Sequence, residues 1–307
     1  DPRPAPGLDP WLDTFSRSDR APRRSLTFEF RVGPPETPPD EAAPVVVEYY
    51  YVRGFARGDL VIFVGADGTR TDVDTAAGRA VTTIPPGAIS GPPWVLRDSV
   101  GAALTTFLRA DDVFPLHAAA LAAGDSGVVI AGPPMAGKTT LSLALLTRGF
   151  RWVSDDKVLL SAVEDGVEAS GLFDVSNVDP GLSRYFPELA GLTALPPAHP
   201  HSPKRAVSVR ELFGAETAGS CRPGYLLFPR VMDIGPTRAV PLTASEAFIE
   251  LLRQSPVVAE SASARRHADV LSRLARQTRA FRIETGRDIL EKPERLAGIL
   301  PGLEIAG

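Results

Sequence analysis

The chain has 307 residues, 44% of them hydrophobic and 23% charged, with a formal net charge of −4. That composition belongs to a folded protein with a sizeable core, and its slight acidity removes any global electrostatic drive toward nucleic acid or an anionic membrane. The single cysteine, Cys221, excludes an intramolecular disulfide and a cysteine-based zinc site, and reads as an incidental thiol in the polar loop "AGSCRPG".

In chain order, residues 1–24 read as loosely ordered, with Trp11 and Leu12 as an anchor. The acidic, proline-rich start "DPRPAPGLDPWLD" is unlike a secretory leader, and no apolar run approaches the ~20 residues that span a bilayer. The expectation is a cytoplasmic protein with neither a membrane nor a nucleic-acid partner. "RSLTFEFRV" alternates at Leu26, Phe28 and Phe30, as a half-buried strand does. "GPPETPPDEAAP" is a loop. "VVVEYYYVRGF" and "LVIFVGADGTRTDVDTAAGRAVTTI" read as strands joined by turns, with "ADG" at 66–68 marking a hairpin. "IPPGAISGPP" at 84–93 breaks this pattern. The expected division is therefore a β-rich N-terminal domain over 1–93 and an α/β domain over 94–307.

The second part opens with a helix whose Val95, Val100, Leu104 and Leu108 share one face. "SGVVIAG" (126–132) is a buried strand, "KTTLSLALLTRG" (138–149) a helix stopped by Gly149, and "FRWVSDD" the following strand. Strands at 224–232 and 280–286 alternate with helices at 244–255, 263–278 and 288–299. The basic helix at 263–278 reads as packed on the domain with a solvated face. "LPPAHPHSPKR" (195–205) is a proline-rich loop in which His199 and His201 lack the further ligands of a metal site.

Gly132-Pro133-Pro134-Met135-Ala136-Gly137-Lys138-Thr139 matches G-x-x-x-x-G-K-[ST], between a strand and a helix. In such a loop the glycines let the backbone wrap a phosphate, and successive N–H groups with the helix N-terminus bind the anion. Lys138 would reach the β- and γ-phosphates of ATP, and the Thr139 hydroxyl would ligate Mg²⁺. Thr140 is either a helix residue without contact or an α-phosphate ligand. Pro133 and Pro134 lack N–H groups, so two potential donors are missing.

Asp155 and Asp156 end the strand that follows the helix, where carboxylates face the ligand crevice. Strand alternation should point the two apart, one toward a metal and one toward an attacking hydroxyl. His117 precedes Gly132 by 15 positions, and a hairpin would bring it beside the loop to tune a carboxylate.

His117, "GVVIAGPPMAGKTT", "LLTRG" and "WVSDD" together resemble the HPr kinase/phosphorylase family, most specifically over residues 115–160; "GKTTLS" is also similar to the related phosphoenolpyruvate carboxykinases. The resemblance implies an HPr kinase C-terminal-domain-like P-loop sheet with helices, ATP and Mg²⁺ as cofactors, and assembly into a homo-oligomer. It implies that Lys138 and Thr139 hold phosphates and metal, that the Asp155–Asp156 pair supplies the base and metal support, and that His117 assists the base; Asp156 is favoured as the base and Asp155 for the metal. The family's signature segment after the aspartates is not recognisable, so the acceptor need not be HPr. Some HPr kinase-like proteins act on peptides of natural-product pathways. The expected activity is phosphoryl transfer from ATP to a hydroxyl, chiefly serine, of a protein or peptide, including a ribosomal natural-product precursor. The alternatives are a small-molecule kinase and a non-catalytic, nucleotide-responsive binding module. Lys204 and Arg205, in the proline-rich loop, are weaker candidates for a cation that closes on the γ-phosphate.

Overall fold

The computed structural model describes residues 24–35, 45–48, 52–57, 60–90, 93–124, 126–198, 202–214, 216–232, 235–255, 261–292 and 295–300. The Trp11–Leu12 anchor, most of the 33–44 loop, and His199 and His201 lie outside these residues. The chain is a mixed α/β protein of two compact units, Asp1–Phe114 with Val257–His267, and Pro115–Pro256 with Ala268–Gly307.

The first unit holds six strands, β1 (Thr27–Val32), β2 (Val45–Glu48), β3 (Val52–Arg57), β4 (Leu60–Gly65), β5 (Arg70–Asp74) and β6 (Arg79–Ile84). They form one sheet in the order β1-β6-β5-β4-β3-β2, antiparallel except for β1 beside β6. The expected hairpin turn joins β4 to β5, with Gly68 at φ +82° and the Asp67 carboxylate accepting from the Thr69 N–H at 2.9 Å. Helix α1 (Pro93–Ala110) packs on this sheet: Ala102, Ala103 and Phe107 meet Val52, Phe63, Val73 and Ala80 in one apolar cluster. Its buried face is rotated from the expected one, with Leu104 and Leu108 only half-buried. The small alanines let the helix lie close to the strands, so the unit continues past the 93/94 break to Phe114.

The second unit carries β8 (Ala118–Ala123), β9 (Ser126–Ala131), β10 (Arg151–Ser154), β16 (Pro223–Val231), β17 (Arg238–Leu242) and β18 (Arg279–Thr285) in the sheet β10-β8-β9-β16-β18-β17. β9, β16 and β18 are parallel neighbours, and the outer pairings are antiparallel. A smaller sheet has the order β15 (Ser220–Cys221), β12 (Gly166–Gly171), β11 (Val158–Val163), β7 (Val113–Leu116). A two-stranded ribbon pairs β13 (Val175–Val178) with β14 (Arg205–Ser208). The remaining helices are α2 (Lys138–Leu146), the short α3 (Val209–Phe213), α4 (Ala244–Arg253), α5 (Ser261–Gln277), of which the part up to His267 belongs to the first unit, α6 (Asp288–Glu291) and α7 (Arg295–Ile299). A single core joins Leu141 and Leu145 of α2 to Val128 and Ile130 of β9, Trp152 of β10 and Leu227 of β16. Cys221 is not a loop thiol. It is buried in β15 over Gly127 of β9, where a side chain would come within 2.4 Å of its Sγ, and burial pushes its thiol up to about 12.

Candidate active site

The loop 132–137 leaves the C-terminal end of β9 and enters α2, as expected for a parallel strand feeding a helix. Met135 and Gly137 both take left-handed backbone, at φ +66° and +102°, and flank Ala136, whose N–H donates to the Pro133 carbonyl at 3.2 Å. Alternation of this kind turns successive N–H groups toward one concavity. Gly132 sits 3.3 Å from the Ala136 Cβ by its own virtual Cβ, so the loop closes tightly there. Pro133, Pro134 and Met135 are exposed, and Met135 is 76% exposed. Lys138 is buried and donates from Nζ to the carbonyls of Gly132, at 2.8 Å, and Pro133, at 3.2 Å. Burial lowers its pKa, while Asp156 and Asp155 pull it back up. Thr139 and Thr140 are half-buried on the first turn of α2.

The aspartates are not strand residues. β10 ends at Ser154, after a register shift against β8 between Trp152 and Ser154. Asp155 and Asp156 then form a tight turn, closed by the Lys157 N–H on the Asp155 carbonyl at 2.7 Å and by Ser154 Oγ on the Lys157 carbonyl at 2.9 Å. Asp156 sits at φ +67°. This turn, and not strand alternation, separates the two side chains. Gly171 makes room for it, since a Cβ there would meet the Val153 carbonyl at 2.2 Å. A bulge and a left-handed residue side by side re-aim side chains at a cost of order 1–3 kcal/mol.

Asp155 points inward and is 4% exposed. Its Oδ2 accepts from Ser176 Oγ of β13 at 2.5 Å and lies 3.4 Å from Thr139 Oγ1; its Oδ1 accepts the Asp156 N–H at 3.0 Å. Burial raises its pKa, and the neighbouring Asp156 adds to the rise. Asp156 points outward and is 58% exposed. Its Oδ1 lies 3.1 Å from His117 Nε2, and that hydrogen bond holds its carboxyl below the ordinary range, against burial. His117 stands immediately before β8, whose hairpin with β9 pairs Ala118 with Ala131, and its own N–H donates to the Gln254 carbonyl at 3.1 Å.

The structure brings His117 beside Asp156, and Thr139 of the 132–139 loop beside Asp155. It adds Ser176, which sequence reasoning missed; the short β-branched run "VSNV" before Asp179-Pro180-Gly181 was its only trace. It also brings the charge of Lys204 to bear on both Lys138 and Asp156. Thr139 Oγ1 and Asp155 Oδ2 are hard oxygen donors on neighbouring elements, a set that suits Mg²⁺ completed by phosphate oxygens and waters. Among the described residues, no helix is long and apolar enough to cross a membrane.

No protein-family model matches this chain, and no curated protein matches its sequence. Among solved structures, the Hpr(Ser) kinase/phosphatase from Coxiella burnetii is similar over 60% of this chain and 90% of its own, at 17% identity and a TM-score of 0.32.

Proposed function

We propose that this chain is an ATP- and Mg²⁺-dependent kinase with an HPr kinase-like second unit, acting in the cytoplasm on a hydroxyl, chiefly serine, of a protein or peptide. The observation that carries the reading is the division of labour between two adjacent carboxylates beside one lysine loop. Asp155 is buried toward Thr139, whereas Asp156 is exposed and hydrogen-bonded to His117. Binding a nucleotide needs no exposed, histidine-oriented carboxylate; deprotonating an acceptor hydroxyl does.

In this mechanism the N–H groups of Met135, Gly137, Lys138 and Thr139 cradle the phosphates, and Lys138 swings from its loop carbonyls onto the β- and γ-phosphates. Thr139 and Asp155 would hold Mg²⁺, and the charge that the metal would supply there offsets that of the phosphates. Asp156 accepts the proton of the acceptor hydroxyl, with His117 orienting it. The acceptor oxygen forms a bond to the γ-phosphorus as the β–γ bridging P–O bond breaks, and ADP leaves with that electron pair.

The test incubates the protein with γ-labelled ATP, Mg²⁺ and peptides or proteins encoded near its gene. Label on one acceptor is expected, lost in Lys138→Ala. Asp156→Asn should bind nucleotide within about threefold of wild type but transfer at least ~10²-fold more slowly. Full turnover in Asp156→Asn would overturn the assignment of the base. The absence of N–H donors at the exposed Pro133 and Pro134 favours a second reading, a nucleotide-responsive binding module. ATP bound without transfer to any acceptor would select it.

A further inference from the structure

Ribbon β13–β14 lies between β12 and β15 in the chain and carries a buried hydroxyl, Ser176. Side chains alternate along a strand, so Ser176 and Val178 share the buried face of β13, and Val207, directly opposite Ser176, shares it from β14. Val178 and Val207 belong to the apolar core that holds Leu141 and Leu145 of α2. The ribbon is thus seated in the same core as the helix that begins Lys138-Thr139, and Ser176 is fixed relative to Thr139. A hydroxyl only 1% exposed on such a face is costly unless it is hydrogen-bonded. Its partner is Oδ2 of Asp155, at 2.5 Å.

The two oxygens of Asp155 are held differently. Oδ1 accepts the Asp156 N–H, a bond made within the turn itself. Oδ2 accepts from Ser176 Oγ and lies 3.4 Å from Thr139 Oγ1. In the ionised form that a cation needs, Asp155 only accepts, so Ser176 is the donor. If Thr139 gives an oxygen lone pair to a cation, its proton turns away from that cation, and its long contact with Oδ2 is the weaker hold on that oxygen. Ser176 is then the donor, among the described residues, that fixes where Oδ2 points. Being buried, it acts through Asp155 rather than on a ligand.

We propose that Ser176, presented by the β13–β14 ribbon, is a positioning residue for the metal: it aims Asp155 Oδ2 toward Thr139 and so sets how much Mg²⁺ tightens the binding of ATP. The inference rests on the kinase reading and adds a residue to it. A hydrogen bond that orients a ligating carboxylate typically governs about 10–100-fold in metal affinity. A serine that merely satisfied a buried carboxylate would govern stability alone.

The experiment measures, by calorimetry on the full chain, the affinity for a non-hydrolysable ATP analogue with saturating Mg²⁺ and with the metal chelated; the ratio of the two is the gain from the metal. Ser176→Ala should cut that gain about tenfold and change the metal-free affinity by less than about twofold. Ser176→Thr, which keeps the hydroxyl, should retain the gain. In an Asp155→Asn background, Ser176→Ala should cost nothing further, because the two residues act as one unit. A gain in Ser176→Ala equal to wild type's, with only the thermal midpoint lowered, would overturn the positioning role while leaving the kinase reading in place. An undiminished loss in the Asp155→Asn background would overturn it too, as would a loss in Ser176→Thr as large as in Ser176→Ala at wild type's thermal midpoint. A wild-type chain that does not bind the analogue, or binds it no better with Mg²⁺, would overturn both. If Ser176→Ala fails to fold, Ser176→Cys decides in its place, since a thiol fills the site but donates weakly: a reduced gain supports the proposal, and an unchanged one overturns it.

Discussion

Burial raises the Asp155 carboxyl, and the ionised Asp156 beside it raises it further, yet the same oxygen that suffers desolvation faces Ser176 and Thr139. A carboxyl whose folded pKa lies above its unfolded one opposes folding when ionised. Its contribution is favourable below the unfolded value, about 4, and is lost as pH rises through the folded value. Asp155→Asn removes that penalty while keeping the side-chain shape. The expected outcome at pH 7 is a thermal midpoint higher by about 2–5 °C, corresponding to roughly 1–2 kcal/mol, with phosphoryl transfer lost. At pH 4 the two midpoints should converge. A lower midpoint for Asp155→Asn at pH 7 would mean that the hydrogen bond from Ser176 outweighs desolvation. The exposed Asp156 behaves oppositely: the hydrogen bond from His117 holds its carboxyl low, so it is ionised throughout the neutral range.

At the level of elements, the site depends on how closely neighbouring backbones approach. Gly127 of β9 lies over Cys221 of β15, and a Cβ on Gly127 would come to 2.4 Å from Sγ and 2.8 Å from the Cys221 Cβ. Neither atom ends a flexible chain, so Gly127→Ala must push the two sheets apart just before the strand that feeds the lysine loop. A loss of about 1–3 kcal/mol is expected, read as a urea midpoint shift at unchanged slope. Adding Cys221→Gly should recover a substantial part of it, because the pair couples through direct contact. Strictly additive losses would show that the clash is absorbed elsewhere. What the sequence made legible follows the same division. The strand, loop, helix and aspartate pair are contiguous, with strong local signals, and His117 reaches the loop by a hairpin, the shortest long-range contact there is. Ser176 was invisible because its contact with Asp155 depends on pairing β13 with a strand some thirty residues later, across proline-rich chain. The turn at Asp155–Asp156 was hidden because nothing in two consecutive aspartates announces a left-handed residue.

For the whole molecule, the polar groups buried in the first unit should set the acid limit of stability as firmly as Asp155 and Asp156 do. His267 of α5 is 4% exposed and stacks on Phe114, with ring centroids 4.8 Å apart and 7° between the planes; its Nε2 has no hydrogen-bond partner among the described residues. Burial, with help from the Arg109 guanidinium, lowers its pKa from 6.5 to about 4. The folded state therefore keeps the ring neutral where the unfolded chain takes up a proton. Stability is fully present above the unfolded pKa of about 6.5 and is lost progressively down to the folded value near 4. A gap of about 2.5 pH units corresponds to roughly 3 kcal/mol, enough to dominate the acid limb of a domain of ordinary stability. His267→Phe keeps an aromatic ring against Phe114 and cannot titrate. Thermal midpoints between pH 7 and 4 should fall more shallowly in this variant than in the wild-type chain, while at pH 7 the two should lie within a few degrees. The effect belongs to the transition that melts the α1–sheet cluster, followed by near-ultraviolet circular dichroism or by amide exchange of α1. Parallel acid limbs in the two proteins would place the acid sensitivity elsewhere, with the carboxylates of the second unit as the next groups to replace.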